Sequence, residues 1–142
     1  MEIKKLEEED IHLMKEVMEE DNMIFNVEYL KYFIKDHHNY GFIVKVGNKA
    51  VGFAYAYDLL RPDKKKMLYL HSIGLLPDYQ NQGLGTKMLE YIIKYAEKHD
   101  FSECFVITDK GNESACHVYE KLGGKNHYEN EIVYVYDFEE KV

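Results

Sequence analysis

The chain has 142 residues and a mass of 16.9 kDa, with 46% apolar and 31% charged side chains, which suits one globular domain and excludes a disordered or fibrous chain. Its 18 basic against 26 acidic residues leave a net charge of −8, which argues against the basic face that nucleic-acid binding needs and suits a cationic partner. Cys104 and Cys116 lack CxxC spacing and are too few for a disulfide framework, so they read as free thiols of a protein expected in the reducing cytoplasm.

The start of the chain, Met1 to Leu6, predicts a short strand; it turns acidic at once, without the apolar stretch of a signal peptide. Glu7-Glu8-Glu9-Asp10 suits a helix N-terminus, and Ile11, Met14, Val17 and Met18 predict a first helix ending near Asp21-Asn22. Val27, Leu30, Phe33 and Ile34 mark a second. His37-His38 follow, but adjacent side chains on a helix point apart and make a poor metal pair. Residues 42–46 and 50–57 read as strands of a hairpin turned by Gly47-Asn48-Lys49, and 67–75 as a further strand. A long amphipathic helix is expected over 83–99, with Leu84, Met88, Leu89, Ile92, Ile93 and Ala96 on one stripe. The apolar run 104–108 reads as a strand buried on both faces, 112–122 as a helix stopped by Gly123-Gly124, and 132–138 as a last strand paired with 125–128.

The order β-α-α-β-β-β-α-β-α-β-β excludes a regular doubly wound sheet and predicts a mixed α/β (α+β) sheet flanked by helices, with 1–142 a single domain. No run of about 18 apolar residues occurs, so no membrane span is expected. No cluster of His, Cys and Asp has ligand spacing, so no metal is expected.

The most informative stretch runs from Leu75 to Thr86. A strand ends, Pro77 breaks the ladder, and Gly83-Leu84-Gly85 opens the long helix. Glycines there let a ligand approach the backbone, and free N–H groups at a helix N-terminus favour an anion. The spacing is neither a P-loop nor a dinucleotide fingerprint, since Met88 stands where the third glycine belongs.

Gln80-Asn81-Gln82-Gly83-Leu84-Gly85 resembles the Q/R-x-x-G-x-G/A signature of the GNAT superfamily of acetyl-CoA-dependent N-acetyltransferases. Asn112 to Gly123 resembles that family's second motif, N-x-x-A-x-x-x-Y-x-K-x-G, and Gly124 departs from it where an aromatic is usual. Together with the element order, the likeness covers essentially the whole chain. It implies acetyl-CoA lying where the strand ending at Leu75 splays from strand 104–108. Ile73, Gly74 and Leu75 would pair with the pantetheine arm. Backbone N–H groups of Gln80, Asn81, Gln82, Gly83, Leu84, Gly85 and Thr86 would hold the pyrophosphate. Taken alone, Asn112 and Tyr119 read as an N-cap and a half-buried ring. The likeness places the Asn112 amide on the pantetheine chain and makes Tyr119 the acid that returns a proton to sulfur.

Acetyl transfer also needs a neutral amine, and an alkylamine of pKa ~10.4 is neutral only about once in 2,500 at pH 7. Relatives often carry a carboxylate base on the strand before the glycine turn. Here Tyr69, Leu70, His71 and Ser72 occupy it, making His71 the candidate base, with Asp109 as an alternative that binds ammonium or relays a proton. An oxyanion donor is expected at Ile73-Gly74, with a bulge at Gly74. The segments 109–112 and 135–138 resemble small aminoglycoside 3-N-acetyltransferases, implying a polycationic acceptor held by Asp109 and Asp58 beside Tyr55, Tyr57 or Tyr69. A peptide or protein amine, a small metabolic amine, or a non-catalytic acyl-CoA sensor are the alternatives; neither nucleic acid nor membrane is an expected partner, and a homodimer is compatible.

Overall fold

A computed structural model describes residues 1–139. Strands β1 (Glu2–Lys5), β2 (Asn39–Val46), β3 (Lys49–Leu60) and β4 (Lys66–Leu75) pair antiparallel, and β5 (Glu103–Val106) adds parallel to β4, in spatial order β1-β2-β3-β4-β5. The β2–β3 hairpin closes with Val46 opposite Lys49 and Gly47 at φ 62°, a left-handed position that glycine adopts without strain. The parallel β4–β5 pair needs a crossover, which α3 (Leu84–Lys98) supplies. The helical stripe read from the sequence is the buried one: Met88 and Ile92 are fully buried, with Leu84, Leu89 and Ala96 beside them. Gly52 lets that layer close, because a Cβ there would sit 2.6 Å from Leu75 Cδ2 and 2.9 Å from Met88 Cε.

Before β2 the chain forms a 3-10 turn (Glu8–Leu13), α1 (Lys15–Glu20) and α2 (Val27–Lys35). Phe33 of α2 meets Tyr55 and Tyr57 edge-on, ring centres 6.3 Å from each. Asn26 caps α2 by accepting from Tyr29 N at 2.9 Å. Asp10, 2% exposed, is the buried charge at the start of the 3-10 turn. It accepts from Glu7 N at 3.1 Å, and Lys4 Nζ (2.9 Å) and Lys45 Nζ (3.5 Å) neutralise it. Burial alone would raise its carboxyl pKa, but these partners hold it below the ordinary carboxylate value.

Two features of β4 give its C-terminal end an open edge. Its pairing with β5 ends at Leu70↔Val106, so residues 71–75 run on beyond the paired part of β5. Its register with β3 jumps from Ala56↔Leu70 to Tyr55↔Ser72, leaving His71 as the extra residue of a bulge. The expected bulge at Gly74 is therefore corrected: Gly74 pairs regularly with Phe53, and the irregularity lies three positions earlier.

The two closing strands expected at 125–128 and 132–138 do not form among the described residues. Ile132, Val133, Tyr134, Val135, Tyr136 and Phe138 are 70–93% exposed. Alternation gives a segment the capacity to pair, whereas pairing needs a distant partner, and local side-chain bonds compete here. Asn126 exchanges two hydrogen bonds with the Tyr128 backbone (2.9 and 3.0 Å), and the Glu131 carboxylate accepts from Glu129 N at 3.2 Å. In consequence β5 is an edge strand, with Cys104, Phe105 and Val106 half-buried, not the doubly covered strand expected. The mixed α/β sheet with helices on it stands.

Candidate active site

After Leu75 the chain leaves the sheet through Leu76, whose N–H still donates to Val51 O at 2.8 Å, and a single 3-10 turn, Pro77–Tyr79. The loop is then held by its own amides: Gln80 Nε2 donates to Leu75 O (3.0 Å) and Gln82 Nε2 to Asp78 O (2.8 Å). Both side chains thus build the turn, leaving the backbone as what it can offer a ligand. Asn81 and Gly83 take left-handed φ values of 61° and 82°. Gly83 caps α3 without a side-chain cap, and an added Cβ would find nothing within 4 Å. The helix's own bonding begins with Lys87 N to Gly83 O (3.1 Å), so the N–H groups of Leu84, Gly85 and Thr86 precede it at the positive end of the helix. The turn thus offers open main-chain N–H groups that could cradle an anion.

Beside it lies the stretch of β4 that pairs with β3 but not with β5, with Ile73, Gly74 and Leu75 at its end and open space where a Gly74 Cβ would stand. Past Leu70 the two strands no longer share hydrogen bonds, so a thin chain could add to the β4 edge as a strand does. Cradle and open edge are contiguous. Their geometry fits a long ligand with a phosphate-bearing end and an amide-bearing arm, which is the chemistry of acetyl-CoA.

On the face carrying α1 and α2, the His71 bulge meets an aromatic wall. The His71 ring is exposed and stacks on Tyr55 at 5.1 Å, with Tyr69 at 5.4 Å and Tyr57 at 6.1 Å; Tyr69 in turn stacks on Phe105 at 4.9 Å. Burial pushes the Tyr55 and Tyr57 phenols above their usual range. They stay neutral, with ring faces suited to a cation.

After β5 the chain forms α4 (Glu113–Lys121), with Asn112 just before it and Tyr119 within it. Asn112 is the N-cap: its Oδ1 accepts from Ala115 N (3.2 Å) and Ser114 Oγ (3.3 Å), which leaves its NH2 as the group that could face a ligand. Tyr119 is half-buried, and burial, then the neighbouring Cys116, raise its phenol pKa. Gly124 has a local reason. Its N–H donates to Tyr119 O at 2.9 Å, and a Cβ would stand 2.8 Å from that oxygen. Asp109 is exposed and accepts from Gly111 N at 2.7 Å, so its carboxylate shapes the loop before α4.

Asp58, expected near the acceptor with Asp109, pairs opposite Leu68, one position along from the Tyr57–Tyr69 pair. Its Oδ2 is 3.7 Å from His38 Nδ1, and its charge acts on Tyr40, whose ring packs on Tyr95 and Phe101 at the C-terminal end of α3. The residues that sequence reading missed are Glu20 and Asp21. With Val17, Phe53, Gly74, Leu75, Leu76 and Gln80 they line a cavity of about 210 Å³ at the open end of β4. A signal existed: α1 ends in Glu19, Glu20 and Asp21 with no basic residue in its last turn, against the helix dipole. No group of three potential metal ligands, and no helix long and apolar enough to cross a membrane, occurs among the described residues.

The family model described as the acetyltransferase (GNAT) family matches residues 8–124. N-alpha-acetyltransferase 50 of Danio rerio is 32% identical over 116 residues, covering 79% of this chain and 68% of that protein. The probable N-acetyltransferase san of Drosophila melanogaster is 29% identical over 115 residues, covering 79% and 62%. The chain thus matches about two thirds of the length of these curated relatives. Among solved structures, an aminoglycoside acetyltransferase from an uncultured soil metagenomic sample, meta-AAC0020, in complex with sisomicin, superposes with a TM-score of 0.77 at 26% identity, covering 96% of this chain and 94% of that one.

Proposed function

The chain belongs to the GNAT acetyltransferase family, and from that premise we propose that residues 1–142 act as one domain that transfers an acetyl group from acetyl-CoA to a primary amine. The observation that carries this reading is the open edge of β4 beyond Leu70, set against the left-handed glycine turn at the start of α3. The N–H groups from Gln80 to Thr86, chiefly those of Leu84, Gly85 and Thr86, would hold the pyrophosphate, and Ile73, Gly74 and Leu75 the pantetheine arm. Asn112 contributes its NH2. Bound there, acetyl-CoA supplies an acyl group activated as a thioester.

The chain's own residues then manage two protons and one developing charge. Tyr119, its pKa raised, is fully protonated at neutral pH and therefore always available as a donor to sulfur. Complete transfer to a thiolate of ordinary pKa ~8.5 is uphill by more than about 2 kcal/mol, so the phenol acts by hydrogen bonding to the leaving sulfur as charge grows. His71, exposed at the bulge beside the open edge, takes the amine proton; Asp109, already engaged with Gly111 N, is the weaker candidate. A backbone N–H around Ile73-Gly74 is the donor for charge on the acyl oxygen.

The acceptor is a cationic amine. A peptide α-amine is supported by the 32% likeness to an N-alpha-acetyltransferase, and a polycationic sugar by the 26% likeness to an aminoglycoside acetyltransferase and the net charge of −8. Calorimetric titration with acetyl-CoA, followed by thiol release against peptides, polyamines and aminoglycosides, tests the reading. Binding and amine-dependent thiol release are expected; binding without release from any amine would instead identify a sensor.

A further inference from the structure

We infer that Tyr55 is a positioning residue, whose ring holds the His71 imidazole in place to take the acceptor's proton. This deepens the acetyltransferase reading and rests on it. A histidine base works only in an orientation that aims one ring nitrogen at the proton, and a carboxylate or carbonyl bonded to the other nitrogen commonly fixes it. Among the described residues, no such group bonds to either ring nitrogen of His71. Its backbone is loosely tied as well. His71 stands unmatched between Leu70, opposite Ala56, and Ser72, opposite Tyr55, and the pairing of β4 with β5 has already ended at Leu70. What remains to fix the ring is the set of rings around it.

Those rings favour one orientation. The imidazole lies close to parallel with Tyr55, 24° between planes at 5.1 Å, while Tyr69 and Tyr57 meet it edge-on at 74° and 79°. A face on one side and two edges around it oppose both tilting and sliding. Tyr55 is itself held: it is half-buried, packs on Phe53 at 5.7 Å, and receives Phe33 of α2 edge-on at 89°. The contacts Phe33–Tyr55–His71 thus tie an exposed ring to a packed helix. Stacking occupies a face of the imidazole and leaves both nitrogens on its rim, one for the amine proton and one to pass a proton to water. As the amine nitrogen bonds to the acyl carbon and sulfur leaves with its bonding pair, the amine proton moves to His71. The resulting imidazolium lies against the negative face of the Tyr55 ring, whose phenol burial keeps neutral.

The test is a double-variant cycle on the full chain, read by CoA thiol release with the fastest acceptor among peptides, polyamines and aminoglycosides. His71→Gln should lower kcat by about a hundredfold. Tyr55→Leu, which keeps apolar bulk without a ring, should lower kcat by about tenfold with the KM for acetyl-CoA kept within about twofold. Tyr55→Phe, which keeps the ring, should recover most of that loss. In the His71→Gln background Tyr55→Leu should cost nothing further, whereas a merely structural role would slow both backgrounds alike. In NMR spectra the His71 ring protons should carry the ring-current shift of Tyr55 in the parent and in Tyr55→Phe, and lose it in Tyr55→Leu. An unchanged kcat in Tyr55→Leu, a Phe variant as slow as the Leu variant, or the same loss in both backgrounds overturns the inference. If Tyr55→Leu does not fold by circular dichroism, the parent spectrum decides: His71 ring signals at the positions of a free histidine overturn it, and ring-current-shifted signals support it. A working parent whose kcat survives His71→Gln overturns the inference together with the His71 assignment and leaves acetyl transfer standing. A parent with no amine-dependent thiol release overturns the acetyltransferase reading itself, which is a separate result.

Discussion

Tyr119 on α4 and His71 at the β4 bulge each follow from a local backbone event. Tyr119 is held by α4, whose start is fixed by the Asn112 cap and whose end is closed by Gly123 and Gly124 folding back onto Tyr119 O. Tyr119→Phe keeps the ring and loses the proton donor, so kcat should fall by about a hundredfold with the KM for acetyl-CoA nearly unchanged. Steady-state kinetics with chemistry shown to be rate-limiting measure this; an unchanged kcat would remove Tyr119 from the chemistry. A different residue carries a stability prediction. Asp10 has its carboxyl pKa lowered on folding, so it contributes stability that is present above the unfolded value of ~3.9 and lost as pH falls through the lower folded value. Asp10→Asn should cost about 1–3 kcal/mol at pH 7, read by urea denaturation, and the gap to the parent should narrow below about pH 4. Tyr119 was readable as a half-buried ring on a helix, and its role as an acid is what the family likeness implies. The acidic end of α1 was visible in the sequence, but only the fold brings Ser72 and the cavity to Asp21.

Among the elements, the glycine turn matters most for cofactor binding. Gly83 adopts φ 82° in open space, so Gly83→Ala meets no atom but strains the backbone by about 1–2 kcal/mol. Gly83→Asp adds a charge against the pyrophosphate. Acetyl-CoA affinity should fall modestly in the first and be lost in the second, while circular dichroism shows both folded; an Asp variant binding like the parent would place the cradle elsewhere. The helices α2, α3 and α4 and the β2–β3 hairpin were legible because their signals are local: an apolar stripe at 3.6-residue spacing, an Asn cap, a Gly-Asn turn. What was not legible depends on partners far away in sequence. The 132–138 segment alternates like a strand, yet 126–131 bonds to itself and leaves β5 as an edge. The bulge belongs to the β3–β4 register, which Gly74 alone suggested in the wrong place.

For the whole molecule, charge and topology set different things. The net charge of −8 attracts a multivalent cationic acceptor over distances comparable to the Debye length, ~10 Å at 0.1 M salt. For a polycation, kcat/KM should fall severalfold between low and high ionic strength; a monocationic amide should change little. A neutral or monocationic amine preferred at every salt concentration would show that the overall field plays no part in selection. Topology fixes the cofactor half of the site more firmly, since it depends on where β4 parts from β5 and where α3 begins. The central claim is acetyl transfer to an amine, and the most direct measurement is release of CoA thiol from acetyl-CoA by the full chain across peptide, polyamine and aminoglycoside acceptors. The predicted result is thiol release that requires both protein and amine and is strongly reduced in Tyr119→Phe; tight acetyl-CoA binding with no amine-dependent release from any acceptor would contradict it.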